Sequence, residues 1–234
     1  MSETQSINYH NVIEACAEPG CPLCRLSEKS VDAYLRALLY ELVNDPEARD
    51  QIRDTLGFCN AHAHHLLTLT GSALSIGIIY RDVVNAAIRQ LEALSEPSPR
   101  LPSFRRAGSA QAALQALSPR KPCAACEQQA RMDALTLQAL VAGLDDPALQ
   151  AALRQCAGLC LPHLRRALSA ARQPDDFKAL ANISRDTYAA LRAELDEFIR
   201  KNDYRFQHEA MGAEGSSWKR AVHAMAGAPG LIEK

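Results

Sequence analysis

The sequence predicts an all-α protein made of two pseudo-symmetric four-helix repeats, each clamped by a Cys3His metal site, and three observations carry that expectation. First, a ligand pattern occurs twice: Cys21-x2-Cys24 followed by Cys59-x2-His62, and Cys123-x2-Cys126 followed by Cys160-x2-His163. Second, the two copies keep register, with 35 positions from Cys24 to Cys59 and 34 from Cys126 to Cys160. Asp45-Pro46 and Asp146-Pro147 each lie 14 residues before the third cysteine, and Gly57 and Gly158 each lie two before it. Arg81-Asp82 with Leu91 returns as Arg185-Asp186 with Leu195. Third, 47% of the residues are hydrophobic but only 5% aromatic, so the interior has to be built from Leu, Ala, Ile and Val, which suits packed helices better than a sheet.

Taken in order, residues 1–20 form an N-terminal segment, 21–95 the first metal-binding repeat, 96–122 a linker, 123–201 the second repeat and 202–234 a C-terminal tail. In repeat one, residues 25–43 carry Val31, Leu35, Leu38 and Leu42 at helical spacing, and the region Met132 to Val141 does the same in repeat two. Asp45 and Asp146 read as N-caps with Pro46 and Pro147 at the first helical position, opening a short second helix in each copy. Gly57 and Gly158 end those helices. A third helix starts at each Cys-x2-His pair, and a fourth, the longest, runs over about 72–94 and about 175–201. Between the copies lies SEPSPRLPSFRRAGS, residues 95–109, whose Pro, Ser and Arg content breaks regular structure and marks the linker.

A Cys-x2-Cys pair lets two thiolates reach one ion from a single turn, and Cys-x2-His at a helix start puts sulfur and imidazole on one face. The expected ligands are therefore Cys21, Cys24, Cys59 and His62 for one ion, and Cys123, Cys126, Cys160 and His163 for the other. Cys16 and Cys156 read as ordinary thiols, because Ser118 and Thr55 stand at the equivalent places. His64 and His65 have no counterparts, Arg165 and Arg166 standing there instead, and read as surface or site periphery. Asp82 and Asp186 recur. They read either as carboxylates that accept the free N–H of a ligating imidazole, or as partners in arginine ion pairs.

No other chemistry presents itself. A Cys59–His62 or Cys160–His163 nucleophilic dyad is disfavoured by the Cys-x2-Cys partner in each copy. There is no phosphate-binding loop, dinucleotide fingerprint, nucleophile elbow or paired-carboxylate helix motif, so no organic catalytic constellation emerges. The balance of 26 basic and 27 acidic residues gives no electrostatic footprint for nucleic acid. The longest uncharged run, Leu66 to Tyr80, is 15 residues, below the roughly 20 needed to span a bilayer, and reads as a buried helix pair. With no signal peptide at the N-terminus, the expected compartment is the cytoplasm, where paired cysteines are metal ligands before they are disulfides.

The motifs resemble a bacterial family known only as a domain of unknown function. They are Cys21-Pro22-Leu23-Cys24, Gly57-Phe58-Cys59-Asn60-Ala61-His62, Tyr80-Arg81-Asp82, the segment Asn202-Asp203-Tyr204-Arg205-Phe206, and a stretch around Trp218. The resemblance implies a helical metal-binding protein and brings no activity with it. Two zinc ions suit closed Cys3His shells, and two [4Fe-4S] clusters using the same ligands are the alternative. The first makes the chain a non-enzymatic scaffold or partner-binding protein, the second an electron carrier or redox sensor. Trp218, Tyr204 and Phe206 sit in a polar, Gly-rich tail that docks on its own body or on a protein partner.

Overall fold

The computed structural model describes residues 3–95, 111 and 114–230. Every regular element among them is helical. Helix α1 (Glu3–Ala15) precedes α2 (Pro22–Tyr40), α3 (Pro46–Asp54), α4 (Asn60–Thr68) and α5 (Ala73–Ser95). Then come α6 (Ala124–Ala142), α7 (Pro147–Gln155), α8 (Leu161–Ala170), α9 (Pro174–Lys201), a 3-10 turn (Ala213–Ser216) and α10 (Ser217–Ala226).

The local chemistry explains the helix boundaries. Asp45 Oδ1 accepts from the Ala48 N–H at 2.8 Å and Asp146 Oδ1 from Ala148 at 2.8 Å, each capping a helix whose first residue is proline. Both capped helices end alike. Leu56 (φ 51°) and Gly57 (φ 93°) are successive left-handed residues, as are Ala157 (φ 71°) and Gly158 (φ 76°). The Gly57 N–H reaches back to Ile52 O at 2.9 Å and Gly158 to Leu153 O at 2.8 Å. These turns deliver Cys59 and Cys160 to the N-caps of α4 and α8. A Cβ at Gly158 would approach Thr187 Oγ1 to 3.2 Å, so side-chain crowding adds to the backbone requirement there.

Two expectations need adjusting. Helix α2 begins at Pro22 rather than Arg25, because Cys21 caps it, and ends before Leu42, which is 40% exposed; Leu39 takes its place in the buried row with Val31, Leu35 and Leu38. The run Leu66 to Tyr80 does form the end of one helix and the start of the next, but Leu67 and Leu74 are exposed. The N-terminal segment contains a helix that the sequence reading did not identify, α1, which buries Val12 completely.

The chain divides into two compact units: Met1–Lys29 with Ala130–Lys234, and Ser30–Gln129. Their boundaries fall inside α2 and α6 rather than in the linker. The units therefore differ from the sequence repeats: each combines parts of both. In unit one, Val12, Leu23, Leu140, Leu144, Leu149, Leu153, Leu180 and Ile183 form a buried cluster. Each such Leu or Ile contributes about 1.5–3 kcal/mol of burial. In unit two, the buried set includes Leu35, Leu38, Ile52, Leu66 and Ile79.

The tail belongs to unit one. Helix α10 packs on α8 and α9, with Ser217 buried, and Arg220 is ion-paired to Glu194. Lys201 bonds Glu214 at 2.7 Å, and Arg200 bonds Glu209. Trp218 remains 48% exposed. No described helix is long and apolar enough to cross a membrane.

Candidate metal centres

Four helix starts carry the same device. Cys21, Cys59, Cys123 and Cys160 each occupy the residue before a helix, and each carbonyl accepts from the N–H four residues on: Arg25 at 3.3 Å, Ala63 at 2.8 Å, Glu127 at 3.1 Å and Leu164 at 2.8 Å. Cys24, His62, Cys126 and His163 follow three residues later, in the first turn and on the same side. The free N–H groups and the positive end of each helix dipole favour a thiolate at that position. One such contact is direct, from the Cys126 N–H to Cys123 Sγ at 3.4 Å.

The eight expected ligands gather into two groups of four, but their membership is exchanged relative to expectation. Cys21 and Cys24 meet Cys160 and His163, all within unit one, while Cys59 and His62 meet Cys123 and Cys126, all within unit two. The expectation that each repeat closes its own site is corrected: each site takes its Cys-x2-Cys from one repeat and its Cys-x2-His from the other. Within each group the four ligand atoms lie within 4.8 Å of one another.

In site one, His163 Nδ1 stands 3.5 Å from Cys21 Sγ, 3.4 Å from Cys24 Sγ and 3.2 Å from Cys160 Sγ, with Cys24 and Cys160 sulfurs 3.5 Å apart. In site two, His62 Nδ1 is 3.3 Å from Cys59 Sγ and 3.4 Å from both Cys123 and Cys126, whose sulfurs are 3.1 Å apart. Cys126 and Cys59 sulfurs are separated by 3.6 Å. Both histidines thus aim Nδ1 at the sulfurs. Both are nearly inaccessible, as are Cys24, Cys123, Cys126 and Cys160, whereas Cys21 and Cys59 are partly exposed.

The surroundings of the two histidines differ. Behind His163, Nε2 faces Asp133 Oδ1 at 3.6 Å, and Asp133, itself 3% exposed, accepts from Arg166 at 2.6 Å. Burial works against a charged His163, but Asp133 and the Cys160 and Cys21 sulfurs overcome it and push its pKa up to about 11. Burial likewise raises the Asp133 carboxyl, and His163 and Arg166 more than offset that, holding it below the ordinary carboxylate range. At site two, burial and then His65 lower the His62 pKa. Asp32, 27 residues before Cys59 as Asp133 is before Cys160, goes to His65 at 3.3 Å and to Arg36 at 2.6 Å instead.

Asp82 and Asp186 are not the carboxylates behind His62 and His163. Asp82 takes Arg49 and Arg53, and Asp186 pairs with the adjacent Arg185 at the surface. Sequence reasoning missed Asp133, although its shared offset with Asp32 was available as a signal. His65 and Arg166, set aside as copy-specific, occupy one structural role: each holds the aspartate 33 residues before it. His64 is exposed on the same short helix and belongs to neither group.

Cys16 and Cys156 also belong to neither group. They are buried in the unit-one cluster at 2% and 1% exposure, and a hydrogen bond with Cys156, with burial second, raises the Cys16 thiol. All eight cysteines are free.

Fold and site together define a class: a helical protein with two Cys3His groups, each able to hold one metal ion. The chain belongs to a family of unknown function, DUF6062, whose model matches residues 3–229. It is also similar to an "Uncharacterized 23.9 kDa protein in xynA 3'region" of Caldicellulosiruptor sp. (strain Rt8B.4), 26% identical over 225 residues that cover 92% of this chain and 99% of that protein. No solved structure matches the chain.

Proposed function

We propose that the protein is a non-enzymatic zinc protein holding two structural ions, one on Cys21, Cys24, Cys160 and His163 and one on Cys59, His62, Cys123 and Cys126, and serving as a scaffold for a protein partner. The observation that carries this reading is the separation of the ligand atoms. A tetrahedral ion with bonds of about 2.3 Å to sulfur and 2.0–2.1 Å to nitrogen sets its ligand atoms about 3.5–3.8 Å apart. Nine of the twelve sulfur–sulfur and sulfur–nitrogen separations are 3.1 to 3.6 Å, at or a few tenths of an ångström below that spacing, and all lie within 4.8 Å, which suits one ion at the centre of each group. A [4Fe-4S] cube bonds each ligand to a different iron, which sets ligand atoms roughly 6 Å apart. That argues against the iron–sulfur alternative.

Four protein ligands around zinc leave no open coordination position, which supports a structural role. Free cysteines throughout are in keeping with a reducing cytoplasm. For the partner, support comes from α10, where Trp218, Val222 and Met225 are spaced along one face and are 48%, 59% and 46% exposed. Metal analysis of protein purified without added metal tests the assignment. Two equivalents of zinc, a colourless solution and loss of helicity with a strong chelator are expected. A brown anaerobic preparation with stoichiometric iron and sulfide overturns it.

A further inference from the structure

The two centres are not chemically equivalent, and two independent features single out site one. The first is a cavity of about 390 Å³ in unit one, lined by residues that include Cys21, Cys24 and Cys160 as well as Tyr188, Leu191 and Ala224. It gives a small molecule a route to ligand sulfur. The second cavity, of about 330 Å³ in unit two, is lined by residues such as Arg53, Ala86 and Arg120 and by none of the site-two ligands. The other feature is Asp133, which stands behind His163 while its counterpart Asp32 is turned to His65 and Arg36. A carboxylate behind a ligating imidazole makes it a stronger donor, and the extra electron density is shared with the other ligands through the ion.

Among the site-one sulfurs, Cys21 is the partly exposed one; Cys24 and Cys160 are 7% and 1% exposed. Cys59 matches it at site two in helix position and in exposure. The pair is therefore an internal control, differing in cavity and carboxylate.

We propose that Cys21 is a zinc-held nucleophile for small, largely apolar α,β-unsaturated carbonyl compounds that enter this cavity, a role that rests on the zinc assignment above. The walls are more apolar than polar, with Arg25, Glu28 and Arg220 among the lining residues, so they suit a compound that joins a hydrocarbon body to a polar carbonyl, and soft sulfur matches a soft carbon electrophile. The Cys21 thiolate forms a carbon–sulfur bond to the β-carbon as the alkene π pair moves to the carbonyl oxygen. Water then protonates the α-carbon. Nothing leaves and nothing is oxidised or reduced. The product is a thioether, neutral and a weaker zinc ligand than a thiolate, so addition loosens site one and leaves site two intact.

The test uses the full-length protein with its zinc content measured beforehand, and N-ethylmaleimide as the probe, with adducts located by peptide mass and zinc release followed by a chromophoric chelator. The first adduct is expected on Cys21, at least roughly tenfold faster than on Cys59 or any other cysteine. Asp133→Asn should slow Cys21 by about tenfold. Ala224→Phe, which narrows the cavity without touching a ligand, should slow Cys21 and leave the Cys59 rate unchanged. Equal rates at Cys21 and Cys59 in protein carrying two zinc ions overturn the proposal while leaving the metal assignment standing. So does unchanged Cys21 labelling in Ala224→Phe. Protein that carries no zinc when isolated and takes up none fails the metal assignment itself, and the proposal falls with it.

Discussion

The exchanged pairing can be read out by counting ions in double variants. Cys24 Sγ lies 3.5 Å from Cys160 Sγ and 3.4 Å from His163 Nδ1, so Cys24→Ser removes a ligand that faces residues of the other repeat. A structural zinc contributes apparent binding free energy of about 10–16 kcal/mol, comparable with the whole stability of a domain. Losing one ligand should therefore empty site one and melt unit one first. Once the ion has gone, a second substitution in the same shell has only local packing left to remove. Cys24→Ser with Cys160→Ser should consequently retain one zinc per chain and cost little more than either single change. Cys24→Ser with Cys59→Ser, two residues of one repeat, should retain none, with costs that nearly add because the sites share no ligand. Zinc is measured by elemental analysis and stability by thermal melts. If the Cys24/Cys59 double variant kept one zinc and the Cys24/Cys160 variant kept none, the pairing described here would be refuted.

Three further outcomes are expected. Cys16→Ser and Cys156→Ser should each keep two zinc ions, since neither sulfur joins a ligand group, and lose only the modest stability of a buried thiol contact; a missing ion in either variant counts against the ligand set. Gly143→Ala should destabilise unit one by about 1–3 kcal/mol, because the new Cβ would lie 2.6 Å from the Tyr9 ring, and a melting temperature equal to that of the parent protein would contradict the packing. Asp82 is held below the ordinary carboxylate range first by its bonds with Arg49, so its contribution is complete above the unfolded value near 4 and is lost as pH falls through the lower folded value. Asp82→Asn should therefore flatten the acid side of a stability-against-pH curve, and an unchanged acid limb would show that the pair contributes nothing.

Much of the local structure was legible in the sequence. Asp45-Pro46 and Asp146-Pro147 announced helix starts because a capping carboxylate and a residue without an N–H suit the same four positions wherever the chain goes next. The eight residues that gather into the two groups were equally plain, since each pair is set by three-residue spacing on a single helix start. Which pair joins which was not. An internal repeat tells which residues are equivalent, but a Cys-x2-Cys pair finds the same complementary Cys-x2-His pattern in its own copy and in the other. Only long-range packing decides between them. Asp133 went unnoticed for a related reason: an aspartate in a helix is ordinary until its distance from His163 is known. Helix α1 was legible but went unread: Tyr9, Val12, Ile13 and Cys16 recur at helical spacing and pack on the unit-one core, yet the segment lies outside the repeat that guided the reading.

The exchange of ligand pairs has a consequence for synthesis. As the chain leaves the ribosome from its N-terminus, Cys21, Cys24, Cys59 and His62 are all present before any residue of the second repeat exists. They make a complete Cys3His set, though not one the finished protein uses. Site two must wait for Cys126 and site one for His163, which emerges 101 residues after His62. At about 5–20 residues per second, that interval is roughly 5 to 20 seconds. Any ion captured by the nascent first repeat has to be given up, or handed across, before both native centres can close. If zinc is the ion, as proposed above, maturation then depends on the rate at which thiolate-bound zinc exchanges as well as on its affinity.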